Sequence, residues 1–144
     1  MKIKKIVNLM MGLSFSLCIF AQDDWQLVWS DEFDTDGSLN SSVWNFEQGY
    51  ARNEEVQWYQ SDNAVCKNGL LIIEARKEQN RKNPLYVSGS NDWRKKREFI
   101  DYTSSSVTTA GKKEFLYGRF EIKARIPVAK GAWPAIWTLG IKPA

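Results

Sequence analysis

Two tryptophans four residues apart, Trp133 and Trp137 in the stretch GAWPAIWTLG, carry the clearest chemical potential of the chain. On a strand, Trp133, Ala135 and Trp137 share a face, and the two indoles stand roughly 13 Å apart at ~3.3 Å per residue. Pro134 has no amide hydrogen to give a ladder, so the segment starts a strand or runs along a sheet edge, with one side open. Rings at that spacing can stack on neighbouring rings of an extended ligand. The competing assignment places both indoles in a core, where they bury large apolar areas. Spacing alone does not separate the two.

Carboxylates are the next candidates. In ARNEEVQWYQ, Glu54 and Glu55 are adjacent, hence on opposite faces of a strand, and cannot work together as acid and nucleophile. A retaining glycosidase needs two carboxyls ~5 Å apart, and no apolar strand here carries two on one face. Asp34 and Asp36 are two apart, but DTDGS has a turn composition, which makes them structural. The chain has no histidine, so imidazole-based triads and His-ligated zinc are excluded within it.

The elements that must position these residues follow an export signal. Lys2, Lys4 and Lys5 precede the apolar run 6–20, which is too short for a membrane span and gives way to Gln22, Asp23 and Asp24. This reads as a signal peptide over residues 1–21, cleaved after Ala21, leaving one domain over 22–144 that is secreted or periplasmic and free of the membrane. Lipoprotein processing at Cys18 is the competing reading, disfavoured by the bulky Leu17 before it. Removing the three lysines lowers the twenty basic residues to match the 17 acidic ones, so the charge argument for a nucleic-acid partner disappears. Of the two cysteines only Cys66 stays, and no internal disulfide can form.

Period two dominates what remains. In YGRFEIKARIP, Phe120, Ile122, Ala124 and Ile126 alternate with Arg119, Glu121, Lys123 and Arg125, as on a half-buried strand. GLLIIEARK reads as another strand, and Asn68-Gly69 before it predicts a type I′ hairpin. Further strands are expected over 26–29, 43–47, 56–59, 105–109 and 135–139. Residues 77–98 read as a long excursion anchored by Tyr86 and Trp93. Many short strands between turn residues predict an antiparallel sandwich or barrel.

WQLVWSDEFD, NEEVQWYQSDNAVCKNGLLIIEARKE, YTSSSVTTAGKKEFLYGRFEIKARIP and GAWPAIWTLG together resemble, in the same order, segments of laminarinase-type members of family 16 of the glycoside hydrolases. The resemblance runs from about Trp25 to Gly140. It implies an all-β, concanavalin-like β-jelly roll of two curved antiparallel sheets, incomplete in this chain, whose concave face binds β-glucan. It implies that Trp133 and Trp137 line the donor side of that cleft, that Asn53 hydrogen-bonds a sugar near the cleavage point, and that Glu55 and Gln57 act as supports. Many relatives carry a cleft arginine where this chain has Ser106.

The family's catalytic Glu-x-Asp-x-x-Glu, which supplies nucleophile and acid/base for retention, is expected one short loop after GAWPAIWTLG. It does not occur in these 144 residues, so no catalytic residue is assigned and the chain reads as the N-terminal portion of an enzyme, inactive alone. Catalysis requires no cofactor. A structural calcium on the convex side is a further implication, with Glu32 and the Gly69 carbonyl as candidate ligands, against Glu32 as a plain solvated or capping carboxylate. A non-catalytic glycan-binding protein on the same scaffold and a structural surface domain with buried tryptophans are the alternatives.

Overall fold

The computed structural model describes residues 25–140, in two compact units divided between Glu32 and Phe33. The signal peptide assigned to 1–21 lies outside the described residues. Among the described residues no helix is long and apolar enough to cross a membrane.

Among the described residues, all regular structure lies in the second unit. It comprises β1 (Asn45–Phe46), β2 (Gln57–Tyr59), a 3-10 turn (Ser61–Asn63), β3 (Ala64–Cys66), β4 (Leu71–Ile73), β5 (Arg76–Lys82), β6 (Phe99–Ser104) and β7 (Val107–Thr108). These make three small sheets, β1-β7, β2-β6-β5 and β3-β4, that do not close into a complete sandwich. The fold is all-β, as expected. One ladder departs from the antiparallel expectation, since β2 runs parallel to β6.

The hairpin at Asn68-Gly69 forms as the sequence predicts. Both residues have positive φ, 53° and 70°, and Lys67 and Leu70 exchange backbone hydrogen bonds of 2.9 and 3.1 Å across the turn. Asp36 has the structural role its turn composition implied: its Oδ1 accepts from the Asn68 amide at 2.8 Å, while Gly37 and Cys66 exchange both backbone bonds.

A polar circuit fixes the three-stranded sheet. Asn63, almost fully buried, donates through Nδ2 to the Glu74 carbonyl and to Thr103 Oγ1, and accepts from Gln60 Nε2. Thr103 Oγ1 donates to Glu78 Oε1 at 2.6 Å, and Arg81 closes the circuit by donating to Gln60 Oε1 at 2.6 Å and pairing with Glu78. The buried side chains of Asn63 and Thr103 are thus satisfied, as burial away from water demands. Ile100 and Thr103 are three apart on β6, hence on opposite faces, and both are buried, while Phe99, Asp101 and Tyr102 of the same strand are exposed.

Several expected elements differ. Residues 77–82 are not part of the excursion but complete β5, which pairs antiparallel with β6 through an irregularity between Lys77 and Arg81. Their charged composition reads as a loop, yet an edge strand with wet side chains tolerates it. The excursion is therefore 83–98, and its anchors are Asn83, Trp93 and Arg94 rather than Tyr86. Buried Asn83 donates through Nδ2 to the Arg94 and Arg97 carbonyls, both at 2.9 Å, and accepts from the Leu85 amide.

Residues 26–29, 117–127 and 135–139 form no strand. Alternation gives a segment a face to bury, but a strand exists only where a neighbour takes its ladder hydrogen bonds, and none of the described residues does so here. Phe120, Ile122 and Ile126 consequently stand more than half exposed.

Candidate functional site

Chemistry-bearing side chains converge around residues 47–59. Gly49 (φ 77°) exchanges two backbone hydrogen bonds with Tyr59, of 2.9 and 3.0 Å, which folds the chain back over β2. A side chain at Gly49 would meet the Trp58 indole at 3.5 Å in a backbone conformation L residues rarely adopt. Between these strands lies a tight turn in which Glu55 N donates to Arg52 O at 3.1 Å and both central residues, Asn53 and Glu54, have positive φ. The expected opposition of Glu54 and Glu55 across a strand is thus replaced: Glu54 occupies the turn and Glu55 leads into β2.

Glu55, Gln57 and Tyr59 alternate along the chain and join in one row. Gln57 Nε2 donates to Glu55 Oε2 at 2.8 Å and to the Tyr59 hydroxyl at 2.7 Å, and that hydroxyl donates to Glu55 Oε2 at 3.1 Å. Asn53 Nδ2 donates to Glu55 Oε1 at 3.3 Å. Burial, followed by the nearby Glu55 carboxylate, holds the Tyr59 hydroxyl protonated to higher pH than usual. Glu55 is therefore a hub that accepts from three side chains.

A second cluster lies beside the first. Glu47 pairs with Arg52 and accepts from Ser106 Oγ at 2.5 Å. Burial raises the Glu47 pKa, but the hydrogen bonds from Arg52 and Ser106 and the guanidinium charge outweigh it, and the net shift is downward. The same hydrogen bond to Glu47 raises the Arg52 pKa. Arg52 lies 5.8 Å from the Tyr59 ring centroid and 5.5 Å from that of Trp137. At the position where the resemblance places an arginine, Ser106 binds Glu47, and the guanidinium on Glu47 comes from Arg52.

Trp137 is therefore half exposed beside this cluster, and Asn53 is exposed next to Arg52 in the chain. Trp133 stands 90% exposed, apart from both. Neither indole is in a core. The excursion 83–98 supports the segment before the turn: Arg94 donates through Nε to the Tyr50 carbonyl at 3.0 Å and through Nη2 to the Ala51 carbonyl at 3.2 Å, and Trp93 packs on Tyr50. Sequence reading missed Glu47, Arg52 and Arg94. Their only signal was position, Arg52 immediately before Asn53, because their pairing depends on the reversal at Gly49.

An open groove of about 460 Å³, lined by Ile73, Ala75, Arg125, Ile126, Pro127, Ala129 and Ala132, lies among different residues and contains no carboxylate. No group of three or more acidic or cysteine side chains suited to a metal occurs among the described residues. Glu32 is exposed in the first unit, and Gly69 forms the hairpin turn of the second. One carboxylate and one carbonyl fall short of the six to eight oxygens calcium takes, so these residues do not by themselves make the site.

The described residues are thus all-β, with one accessible indole, Trp137, sharing the Arg52 guanidinium with the carboxylate, amide and phenol row. No family model matches the chain. It is 41% identical over 120 residues to a beta-glucanase of Rhodothermus marinus, a match covering 80% of this chain and 36% of that protein. Among solved structures it resembles the laminarinase catalytic domain of Thermotoga maritima, with 43% identity and a TM-score of 0.51 over 67% of this chain and 36% of that one. It also resembles a structure from work on endo-acting O-glycanases of the human gut microbiota that initiate mucin breakdown, with 36% identity and a TM-score of 0.54 over 63% of this chain and 33% of that one. The chain is thus similar to beta-glucanases and laminarinases. It spans about a third of the length of these relatives.

Proposed function

We propose that this chain supplies part of the glycan-binding cleft of an endo-acting β-glucan hydrolase that cleaves β-1,3 or mixed β-1,3-1,4 linkages with retention. The observation that carries this reading is Trp137, an indole left accessible against Arg52, whose guanidinium also lies over Tyr59 of the Glu55–Gln57–Tyr59 row, in a laminarinase-type sequence. An indole face takes the apolar face of a sugar, while amide and hydroxyl groups take its hydroxyls. Asn53, Trp133 and Trp137 are the proposed substrate contacts. Glu55 is a support, because its oxygens are already occupied by neighbours. The nucleophile and acid/base come from residues other than these 144, whose sequence contains no Glu-x-Asp-x-x-Glu.

The test is hydrolysis by the full-length protein of laminarin, mixed-linkage glucan and mucin O-glycan, with product anomers followed by NMR. Retention on the glucans supports the reading, and activity confined to the O-glycan overturns the substrate class. Replacing Trp137 with Ala is expected to lower kcat/KM on laminarin roughly five- to tenfold, the worth of about 1 kcal/mol or more from one stacking ring.

Export, which rests on the N-terminal lysines and apolar run, and calcium, which rests on the resemblance, belong to the same proposal. Fractionation of the producing cell tests export, with the mature N-terminus expected at Gln22. A thermal midpoint that falls on chelation and returns with calcium, and that no longer responds in Glu32→Gln, tests the metal.

A further inference from the structure

We propose that Arg52 is a positioning residue: its guanidinium, anchored by Glu47, holds the Trp137 indole beside the Glu55–Gln57–Tyr59 row. The inference concerns how that ring is held, and only its kinetic arm rests on the β-glucan reading.

Arg52 is fixed at both ends. Its carbonyl accepts the turn-closing bond from Glu55, so its Cα is tied to the start of β2. Its guanidinium meets a carboxylate that is itself fixed: Glu47 N donates to the Ser106 carbonyl at 3.0 Å, and Glu47 Oε2 accepts from Ser106 Oγ. A planar, weakly hydrated cation can donate to a carboxylate at its edge while presenting its face to aromatic rings, which an ammonium does less well. Tyr59 and Trp137 take those positions at 5.8 and 5.5 Å.

No strand ladder among the described residues holds Trp137. Residues 133–140 have no strand pairing, and no backbone bond ties them to the sheets among the described residues. A ring on a segment without ladder bonds depends on its side-chain contacts for orientation, and ordering it on binding would weaken affinity. The arrangement also fixes which substrate suits it. Glu47 neutralises Arg52, so the site presents a held ring without unpaired cationic charge, which matches a neutral polysaccharide better than a sulfated or uronic one.

Fluorine NMR of the full-length protein labelled with 5-fluorotryptophan reads the ring directly, with the Trp137 resonance identified by its loss in Trp137→Phe. Arg52→Gln is expected to move or broaden that resonance and to raise KM for laminarin about two- to fivefold at little change in kcat, as an exposed cation–ring contact allows. Arg52→Lys should restore both in part. Adding Arg52→Gln to Trp137→Phe should raise KM no further than Trp137→Phe alone. An unmoved Trp137 resonance, or independent effects of the two substitutions, overturns the inference. If Arg52→Gln does not fold, Glu47→Gln removes the anchor and is read in the same way. A wild-type protein inert on laminarin defeats the functional reading alone, because the resonance still decides the role of Arg52.

Discussion

Residues 33–112 are poorer in apolar side chains than residues 113–140, yet it is the poorer region that forms the core. The first region holds every strand, the buried Ile100, Leu39 and Tyr50, and the polar circuit around Asn63. Its last ties are made by Lys112, whose Nζ donates to the Ser41 and Trp44 carbonyls, and by Asn45 Nδ2 to the Ala110 carbonyl. Beyond that point the chain makes local contacts, such as the edge-to-face pair Phe115–Phe120 and the ion pair Arg119–Glu121, and exposes Leu116, Ile122, Val128 and Leu139. The difference lies in partners: a period-two pattern stabilises a strand only when a second strand receives its amides and a second layer covers its face. The indole proposed to bind substrate belongs to the region without such partners, which is why a single guanidinium contact matters to it.

That contrast can be broken by substitution. The largest effect is expected at Ile100, where truncation to Ala in the central strand should cost about 2–5 kcal/mol in urea unfolding and strip amide protection from β6. A loss under about 1 kcal/mol would mean that β6 is not a packed centre. Asn63→Leu should follow at about 1–3 kcal/mol, since it leaves the Glu74 carbonyl and Gln60 without their buried partner. Its signature is increased exchange across both β6 and the 3-10 turn, because one side chain joins them.

A pH titration sharpens the comparison within the ordered region. Glu47 has a lowered pKa when folded, so its contribution to stability is complete above the unfolded carboxylate value, about 4.3, and is lost as pH falls through the lower folded value. Thermal midpoints followed from neutrality to about pH 3 should show less acid destabilisation in Glu47→Gln than in the parent protein. Identical slopes would remove Glu47 as a linked group. The smallest effect is expected in the other region: Ile122→Ser in the 144-residue chain should change stability by less than about 0.5 kcal/mol, as for a surface position. A larger loss would show that this face is covered after all.

The sequence was legible wherever structure is decided locally. Asn68-Gly69 adopts the left-handed turn because few other residues tolerate it, and Asp36 caps that turn as its composition implied. The charged β5 was read as part of a loop, since nothing in RKEQNRK announces the β6 ladder that receives it. Strands were expected over 117–127 and 135–139 from alternation that found no neighbour.

The sequence by itself therefore determined the all-β character, the hairpin and the likeness to laminarinases, because backbone preferences and motif order are properties of short segments. Only tertiary structure decided that Glu47, Arg52 and Trp137 meet, that Glu55 becomes a hub, and that Arg94 supports their loop from the excursion. Those contacts depend on the Gly49 reversal and on pairings between residues tens of positions apart, and a linear pattern carries no record of which distant groups a folded chain will bring together.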